Sequence, residues 1–337
     1  MRSSFGIVAI AAALIGCSSA ADTTSKAAPA VTTIAAPVTT SAAPTTVATT
    51  TTVAPTTTIA PTTTVAPETT TTVDMTAGRP FEVFVPTGYD EASPAPLVIL
   101  LHGYSASGDG QEAYFKFQPL AEERGFLYVH PDGLKDPRSN QFWNATDACC
   151  NFADPKPDDS AYLAAIIEHV EANYNVDPKR IFIAGHSNGG FMSYRMACDH
   201  ADKVAAIASL AGATFNDVAA CTPSESVSVL QIHGTADETI KFNGAEIAGH
   251  SYPAAEQTVE TWADYNGCTT TRPVPGGKKL DLEGQVDGAE TVTAAFAGCP
   301  TGVGVELWTI NGGPHIPAIT ADFAPAVIDF LLAHPKP

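Results

Sequence analysis

The stretch "RIFIAGHSNGGFMSYRMA", Arg180 to Ala197, decides how this chain is read. Apolar Ile181, Phe182 and Ile183 run straight into Gly185-His186-Ser187-Asn188-Gly189-Gly190, and a pattern with helical spacing follows. A strand that turns sharply into a helix crowds its neighbours, and glycine at Gly185 and Gly189 relieves that contact. The Ser187 hydroxyl is then held above the end of a strand, with the free N–H groups of a helix start behind it.

The surrounding elements fit that placement. "FEVFV" (Phe81 to Val85) has the two-residue period of a strand, and "PLVILLHG" (Pro96 to Gly103) is continuously apolar, as a strand buried on both faces should be. A helix is expected over Gln111 to Arg124, a strand over Gly125 to Gly133, and a long loop with Trp143 over Leu134 to Pro157. Asp158-Asp159-Ser160 reads as a helix start, with Asp159 structural. The helix behind it spaces Leu163, Ile166, Ile167, Val170 and Tyr174 by threes and fours. Strands over Val204 to Gly212, Ser228 to Gly234 and Val305 to Ile310 alternate with helices around Ala254 to Tyr265 and Ala321 to Ala333. The alternation predicts an α/β fold, a mostly parallel sheet covered on both faces.

A serine nucleophile needs a base, and the base needs an acid to orient it. In open sheets of this kind the chain order is serine, acid, histidine. His315, in "NGGPHIPA", sits past the last strand in a Gly- and Pro-rich loop, where the base belongs. His250, in a loop, is the reserve candidate; His233 reads as a packed histidine, His200 as a solvated helix end, and His334 as terminal. Asp237, directly after a strand end in "QIHGTADETI", is the acid candidate. The backbone N–H groups of Tyr104, after "LLHG", and of Asn188 are the expected oxyanion donors. Trp143 is a candidate wall of an aromatic acyl pocket, against the alternative of a core anchor for its loop.

Six stretches, "LLHGYSASG", "WNATDACCN", "PDDSAYLAAII", "GHSNGGFMSYRMAC", "HGTADETI" and "ELWTINGGPHIP", resemble the esterase family of polyhydroxybutyrate depolymerases and feruloyl or acetylxylan esterases. The likeness runs from about Phe81 to Ala333, with the motifs in the family's order. It implies an α/β-hydrolase fold and a serine esterase with Ser187 as nucleophile, Asp237 as acid and His315 as base. Pro314 and Ile316 depart from the family, which usually has a glycine before the histidine and often an aromatic after it. That departure bears on the leaving-group pocket more than on the triad.

Composition sets outer bounds. The chain has 337 residues, is 45% hydrophobic and carries a formal net charge of −19. Such an acidic balance argues against nucleic acid, whose phosphates need clustered Lys and Arg, and against anionic membrane surfaces. The apolar run Phe5 to Ile15 is too short for a membrane span and fits a signal-peptide core. It ends in Leu14-Ile15-Gly16-Cys17, which resembles a bacterial lipobox, so residues 1–16 are expected to be removed and Cys17 lipidated. An ordinary secretory signal is the alternative. Residues 17–74 are nearly all Thr, Ala, Pro and Val, too poor in bulky side chains to offset chain entropy, and are expected to be a disordered tether. Residues 75–337 form the expected catalytic domain. The remaining six cysteines suit an oxidising compartment. The expected pairs are Cys198 with Cys221 and Cys268 with Cys299, which leaves Cys149 to Cys150. No CxxC or His spacing supports zinc, and no cofactor is called for.

The leading expectation is an exported, lipid-anchored serine esterase acting on a small ester or an ester-decorated polymer, with short or aromatic-acid esters preferred. The alternatives are a polyhydroxyalkanoate depolymerase, a serine peptidase of the same fold, and a surface binding module that has lost catalysis.

Overall fold

In the computed structural model, residues 71–74, 79–152 and 156–337 are described, all within one compact unit, Thr64–Pro337. The expected signal segment, the lipidation site Cys17 and most of the expected tether lie outside the described residues. One boundary is corrected. Thr71–Asp74, the last four residues assigned to the tether, form strand β1, antiparallel to β2 (Pro80–Val83). β-Branched Thr71, Thr72 and Val73 suit an extended strand, but they continue the preceding Thr-rich composition and so carry no local signal.

The remaining elements follow in order. They are β3 (Ala95–Leu101), α1 (Gly108–Phe115), α2 (Gln118–Arg124), β4 (Leu127–Val129), the short pair β5 (Leu134–Lys135) and β6 (Gln141–Phe142), and α3 (Asp159–Asn173). Then come β7 (Val176–His186), α4 (Asn188–Asp199), β8 (Ala206–Leu210), β9 (Ser228–Gly234), the pair β10 (Ala245–Ile247) and β11 (His250–Tyr252), and α5 (Ala255–Tyr265). β12 (Val274–Leu280), β13 (Thr291–Ala295), β14 (Val305–Ile310) and α6 (Phe323–Ala333) complete the set. The expected single helix over Gln111 to Arg124 is two helices. Lys116 ends α1 in the left-handed region, at φ 58°, and Pro119 opens α2.

Eight strands form one sheet in the order β12-β13-β14-β9-β8-β7-β3-β4. The six from β14 to β4 are parallel, and β13 and β12 add an antiparallel edge. Side-chain alternation splits the core into two layers. Leu97, Ile99, Leu101, Ile181, Ile183, Val229 and Leu307 face one way, against Leu163, Ile166 and Val170 of α3, Phe191 and Met196 of α4 and Trp262 of α5. Val98, Leu100, Phe182, Ala184, Leu230 and Ile232 face the other, against Phe115 of α1, Leu120 of α2, and Phe323, Val327 and Leu331 of α6. Each fully buried aliphatic side chain contributes roughly 1.5–3 kcal/mol, so the central strands are the most strongly held part of the molecule. That rigid base positions the loops at its carboxyl edge. Leu101 pairs with Gly185 across β3 and β7, and Ile310 pairs with Gly234 across β9 and β14. The segments after those four strands therefore meet at one edge.

The six cysteines pair as expected: Cys149–Cys150, Cys198–Cys221 and Cys268–Cys299. Asp159 is structural as read. Its carboxylate takes Arg79 Nη1 at 2.6 Å and the Asn144 N–H at 2.7 Å, out of solvent. Arg79 also lies over the Tyr162 ring at 3.6 Å, so the bridge ties the β2 entry to α3 and to the start of the Trp143 loop.

Candidate active site

Ser187 stands between the end of β7 and the start of α4 with φ 52° and ψ −118°, a left-handed conformation costly for a residue with a Cβ. The turn is over-determined by what surrounds it. A Cβ on Gly185 would overlap the Gly189 carbonyl, and one on Gly189 would overlap the Leu101 carbonyl. The Ser187 N–H donates to the Leu210 carbonyl of β8 at 2.7 Å, and the Ser187 carbonyl accepts from Phe191 N–H in the first turn of α4. The glycines therefore let helix, turn and neighbouring strand approach closely enough to hold the hydroxyl up.

The three residues chosen from sequence are brought together. Ser187 Oγ lies 2.9 Å from His315 Nε2, and His315 Nδ1 lies 2.8 Å from Asp237 Oδ2. The N–H groups of Thr239 and Ile240 both donate to Asp237 Oδ1 at 2.8 Å. Burial alone would push the Asp237 carboxyl upward. Hydrogen bonds from His233 and His315, with the Ile240 N–H, outweigh it and hold the carboxyl well below the usual carboxylate range. Asp237 is therefore an ionised, fixed acceptor for His315.

The loops after β9 and β14 are laced together. Thr235 N–H donates to the Ile310 carbonyl, Ala236 N–H to the Gly313 carbonyl, and Gly312 N–H to Thr235 Oγ1. The His315 loop is held from three further sides. His186 Nε2–H donates to the His315 carbonyl at 2.9 Å, Tyr114 O–H to the Pro317 carbonyl at 2.6 Å, and Ala318 N–H to Glu283 Oε2 at 2.7 Å. His186 is buried, and desolvation, reinforced by the neighbouring His315, pulls its imidazole down to about 4.

The Tyr104 and Asn188 N–H groups make no hydrogen bond among the described residues, in keeping with groups left free for an oxyanion. The orientation of the Gly103–Tyr104 peptide is set by His102. Gly133 N–H donates to His102 Nε2 at 2.8 Å, so the proton sits on Nδ1, which donates to the Gly103 carbonyl at 2.8 Å. Burial lowers the His102 imidazole, which favours this neutral form. Pinning the carbonyl on one side of the peptide aims the Tyr104 N–H to the other.

Trp143 does not wall a pocket. It is fully buried, its indole N–H donates to the His102 carbonyl at 3.1 Å, and its ring packs on His102 at 4.9 Å between centroids. Its backbone is clamped by the Asn188 side chain, which accepts from Trp143 N–H at 2.7 Å and donates to its carbonyl at 2.9 Å. The same amide reaches Cys149 Sγ at 3.7 Å. Trp143 is thus the anchor of its loop. A ring with an N–H handle is well suited to that task, and a sequence pattern alone does not tell it from a pocket wall.

The other histidines stay outside the relay. His250 is exposed on β11, 3.6 Å from Asp147. His200 caps α4 beside Ser160 at 3.0 Å, and His334 Nδ1 donates to the Phe330 carbonyl. His233 is packed as read, but it also approaches Asp237 Oδ2 at 3.4 Å. The supporting roles of His102, His186 and the Asn188 side chain were missed from sequence. The one available signal is that each lies next to a strand end within a glycine-rich motif.

The family model described as Phospholipase/Carboxylesterase matches residues 87–268. Feruloyl esterase B of Piromyces equi is 32% identical over 238 residues, covering 68% of this chain and 41% of that protein. Feruloyl esterase D of Neurospora crassa is 26% identical over 255 residues, covering 71% of this chain and 74% of that protein. The chain thus spans less than half the length of the first relative and about three quarters of the second. Among solved structures, an acetyl xylan esterase from Aspergillus awamori superposes with a TM-score of 0.53 at 14% identity, covering 79% of this chain and 99% of that one, which shows the shared α/β-hydrolase fold. The chain belongs to the Phospholipase/Carboxylesterase family of carboxylic-ester hydrolases.

Proposed function

We propose that this protein hydrolyses carboxylic esters through an acyl-enzyme on Ser187. The observation that carries the reading is the continuous relay from Ser187 Oγ to His315 Nε2 at 2.9 Å and from His315 Nδ1 to Asp237 Oδ2 at 2.8 Å. In the acylation step Ser187 Oγ attacks the ester carbonyl carbon as His315 Nε2 takes the hydroxyl proton. The carbonyl π electrons move onto oxygen, and that oxyanion receives the Tyr104 and Asn188 N–H groups. Collapse of the adduct expels the alcohol oxygen, which takes the proton back from His315. A water then repeats the sequence against the acyl-enzyme, releasing the acid and restoring Ser187. Asp237 holds His315 in the tautomer with Nε2 free to accept and stabilises the imidazolium between steps.

The substrates proposed are short or aromatic-acid esters, free or carried on a polymer, in preference to solid polyester. The names of the relatives, feruloyl and acetyl xylan esterases, support that choice. Export with lipid attachment at Cys17 is proposed from the apolar run ending in Leu14-Ile15-Gly16-Cys17, and three disulfides support an oxidising destination.

The test is labelling by a fluorophosphonate probe, with peptide mapping, on wild type and Ser187→Ala. Labelling confined to Ser187 and abolished in the variant is expected; a chain that does not label returns the non-catalytic reading. Soluble phenyl and feruloyl esters, model amides and a turbid polyhydroxybutyrate suspension are then compared side by side. Clearing of the suspension as fast as the soluble esters overturns the substrate preference, and faster amide than ester turnover restores the peptidase. Membrane-fraction retention unchanged in Cys17→Ala overturns the lipid anchor.

A further inference from the structure

Asp237 receives more than the triad requires. Both lone-pair sites of Oδ1 are taken by backbone N–H groups, and His315 takes one site of Oδ2. His233 Nε2 faces the remaining site at 3.4 Å while bonding the Ile240 carbonyl at 2.7 Å. Whether that nitrogen carries a proton decides whether His233 attracts or repels the carboxylate.

The answer comes from a buried chain of polar groups behind it. Tyr194 O–H donates to Gln231 Oε1 at 2.8 Å. Gln231 Nε2 donates to the Gly212 carbonyl at 2.8 Å, and that carbonyl, which can only accept, fixes which end of the amide faces it. The second hydrogen of the same Nε2 points at His233 Nδ1, 3.0 Å away. His233 Nδ1 is therefore an acceptor and the ring proton is on Nε2. The Ile240 carbonyl requires the same assignment independently. The chain Tyr194, Gln231, His233 is buried throughout, so no bulk water competes for these bonds.

We propose that His233 is a positioning residue for the Ser187 reaction: its Nε2–H fills the last acceptor site of Asp237 and keeps Oδ2 aimed at His315 Nδ1. The inference rests on the proposed triad. With four donors on two oxygens, the carboxylate has no second orientation of equal energy. Taking one donor away frees it to turn from His315 and concentrates its negative charge on the remaining partner. The titratable groups that face this pair are His186 beside His315, His233 itself, and Tyr252 near Asp237.

A residue that only packs the core would change stability while leaving turnover per folded molecule and its pH dependence alone. A positioning residue changes both. In His233→Leu, kcat should fall about tenfold with KM within about twofold, since the bond lost is one to an ionised group. The acid limb of kcat/KM should move up by roughly half a pH unit, because a less-shared carboxylate favours the His315 imidazolium. His233→Gln, whose side-chain amide can donate in the same direction, should recover most of the lost kcat and return the acid limb toward wild type. In the wild-type protein, ¹⁵N-histidine NMR at mildly alkaline pH should place the His233 proton on Nε2.

A folded His233→Leu with wild-type kcat and acid limb overturns the proposal, and so does a proton on Nδ1. If His233→Leu does not fold, the tautomer and His233→Gln decide, and Gln lowering kcat as far as Ser187→Ala does would also overturn it. Ser187→Ala separates the two levels. Turnover surviving in that variant refutes the triad itself, whereas loss there with an indifferent His233 refutes only this inference.

Discussion

Acidification should destabilise the folded chain through His186. Its imidazole is buried beneath the His315 loop and is pulled from 6.5 to about 4, first by desolvation and then by repulsion from His315. The folded state therefore binds its proton less readily than the unfolded chain does. The stability tied to this group is fully present above the unfolded pKa and drains away as pH falls from 6.5 through about 4. Integrated from about pH 7.5 down to about pH 5, the loss is about 2 kcal/mol, a large share of the 5–15 kcal/mol typical of a folded domain. The assay is urea unfolding of wild type and His186→Gln at both pH values. Glutamine can still donate toward the His315 carbonyl but does not titrate, so its variant should lose about 2 kcal/mol less than wild type over the same interval. His102 is also lowered by burial, but it is present in both proteins and cancels in the comparison. Equal losses in the two proteins would refute the assignment of a buried neutral imidazole at this position.

Three further outcomes are expected. His315→Ala should lower kcat on the order of 10⁵-fold, while His250→Ala, which removes only an exposed pair with Asp147, should stay within about twofold, as ester turnover will report. Gly185→Ala should cost about 1–3 kcal/mol or more in urea unfolding, because its Cβ meets the Gly189 carbonyl, a backbone atom that cannot swing aside. Reduction of Cys198–Cys221 and Cys268–Cys299, separated by 23 and 31 residues, should remove about 3–4 kcal/mol each by the chain-closure estimate, read as a fall in Tm with reduction confirmed by mass.

What was legible in the sequence follows from burial. Strands β3, β7, β8, β9 and β14 are continuous apolar runs because helices cover both faces of the sheet, and each was placed to within a few residues. The antiparallel pair β12 and β13 was not foreseen. Its edge strand reads Val-Pro-Gly-Gly-Lys-Lys-Leu, its register shifts between Pro275 and Lys279, and one side has no neighbouring strand, so no apolar periodicity marks it. Ser187, Asp237 and His315 were legible because each follows a strand end in an order that the fold imposes. Their buried supports were not. The contributions of His102, His186 and His233 depend on which ring nitrogen holds the proton, and partners far away in the chain settle that. Trp143 was open to two readings because a loop tryptophan looks the same in sequence whether its ring faces substrate or core.

The settled position of Trp143 changes where rigidity in the site comes from. Its indole N–H holds the His102 carbonyl, and the His102 ring holds the carbonyl of the peptide whose N–H is that of Tyr104. Its own backbone is gripped by the side chain of Asn188, whose N–H is the other oxyanion donor. The two donors therefore belong to a single hydrogen-bonded unit, although one follows β3 and the other opens α4. The Arg79–Asp159 bridge fastens the same loop from outside through Asn144. Donors held in this way need not reorganise as charge develops on the substrate oxygen, which is the condition under which they lower the barrier most. The cost of that rigidity is a buried tryptophan, a buried ion pair and a left-handed serine. None of them adds a wall to the substrate site. Selectivity among esters must then reside in the exposed rim, where Ile316, directly after His315, is 63% exposed and free to vary without disturbing the unit beneath it.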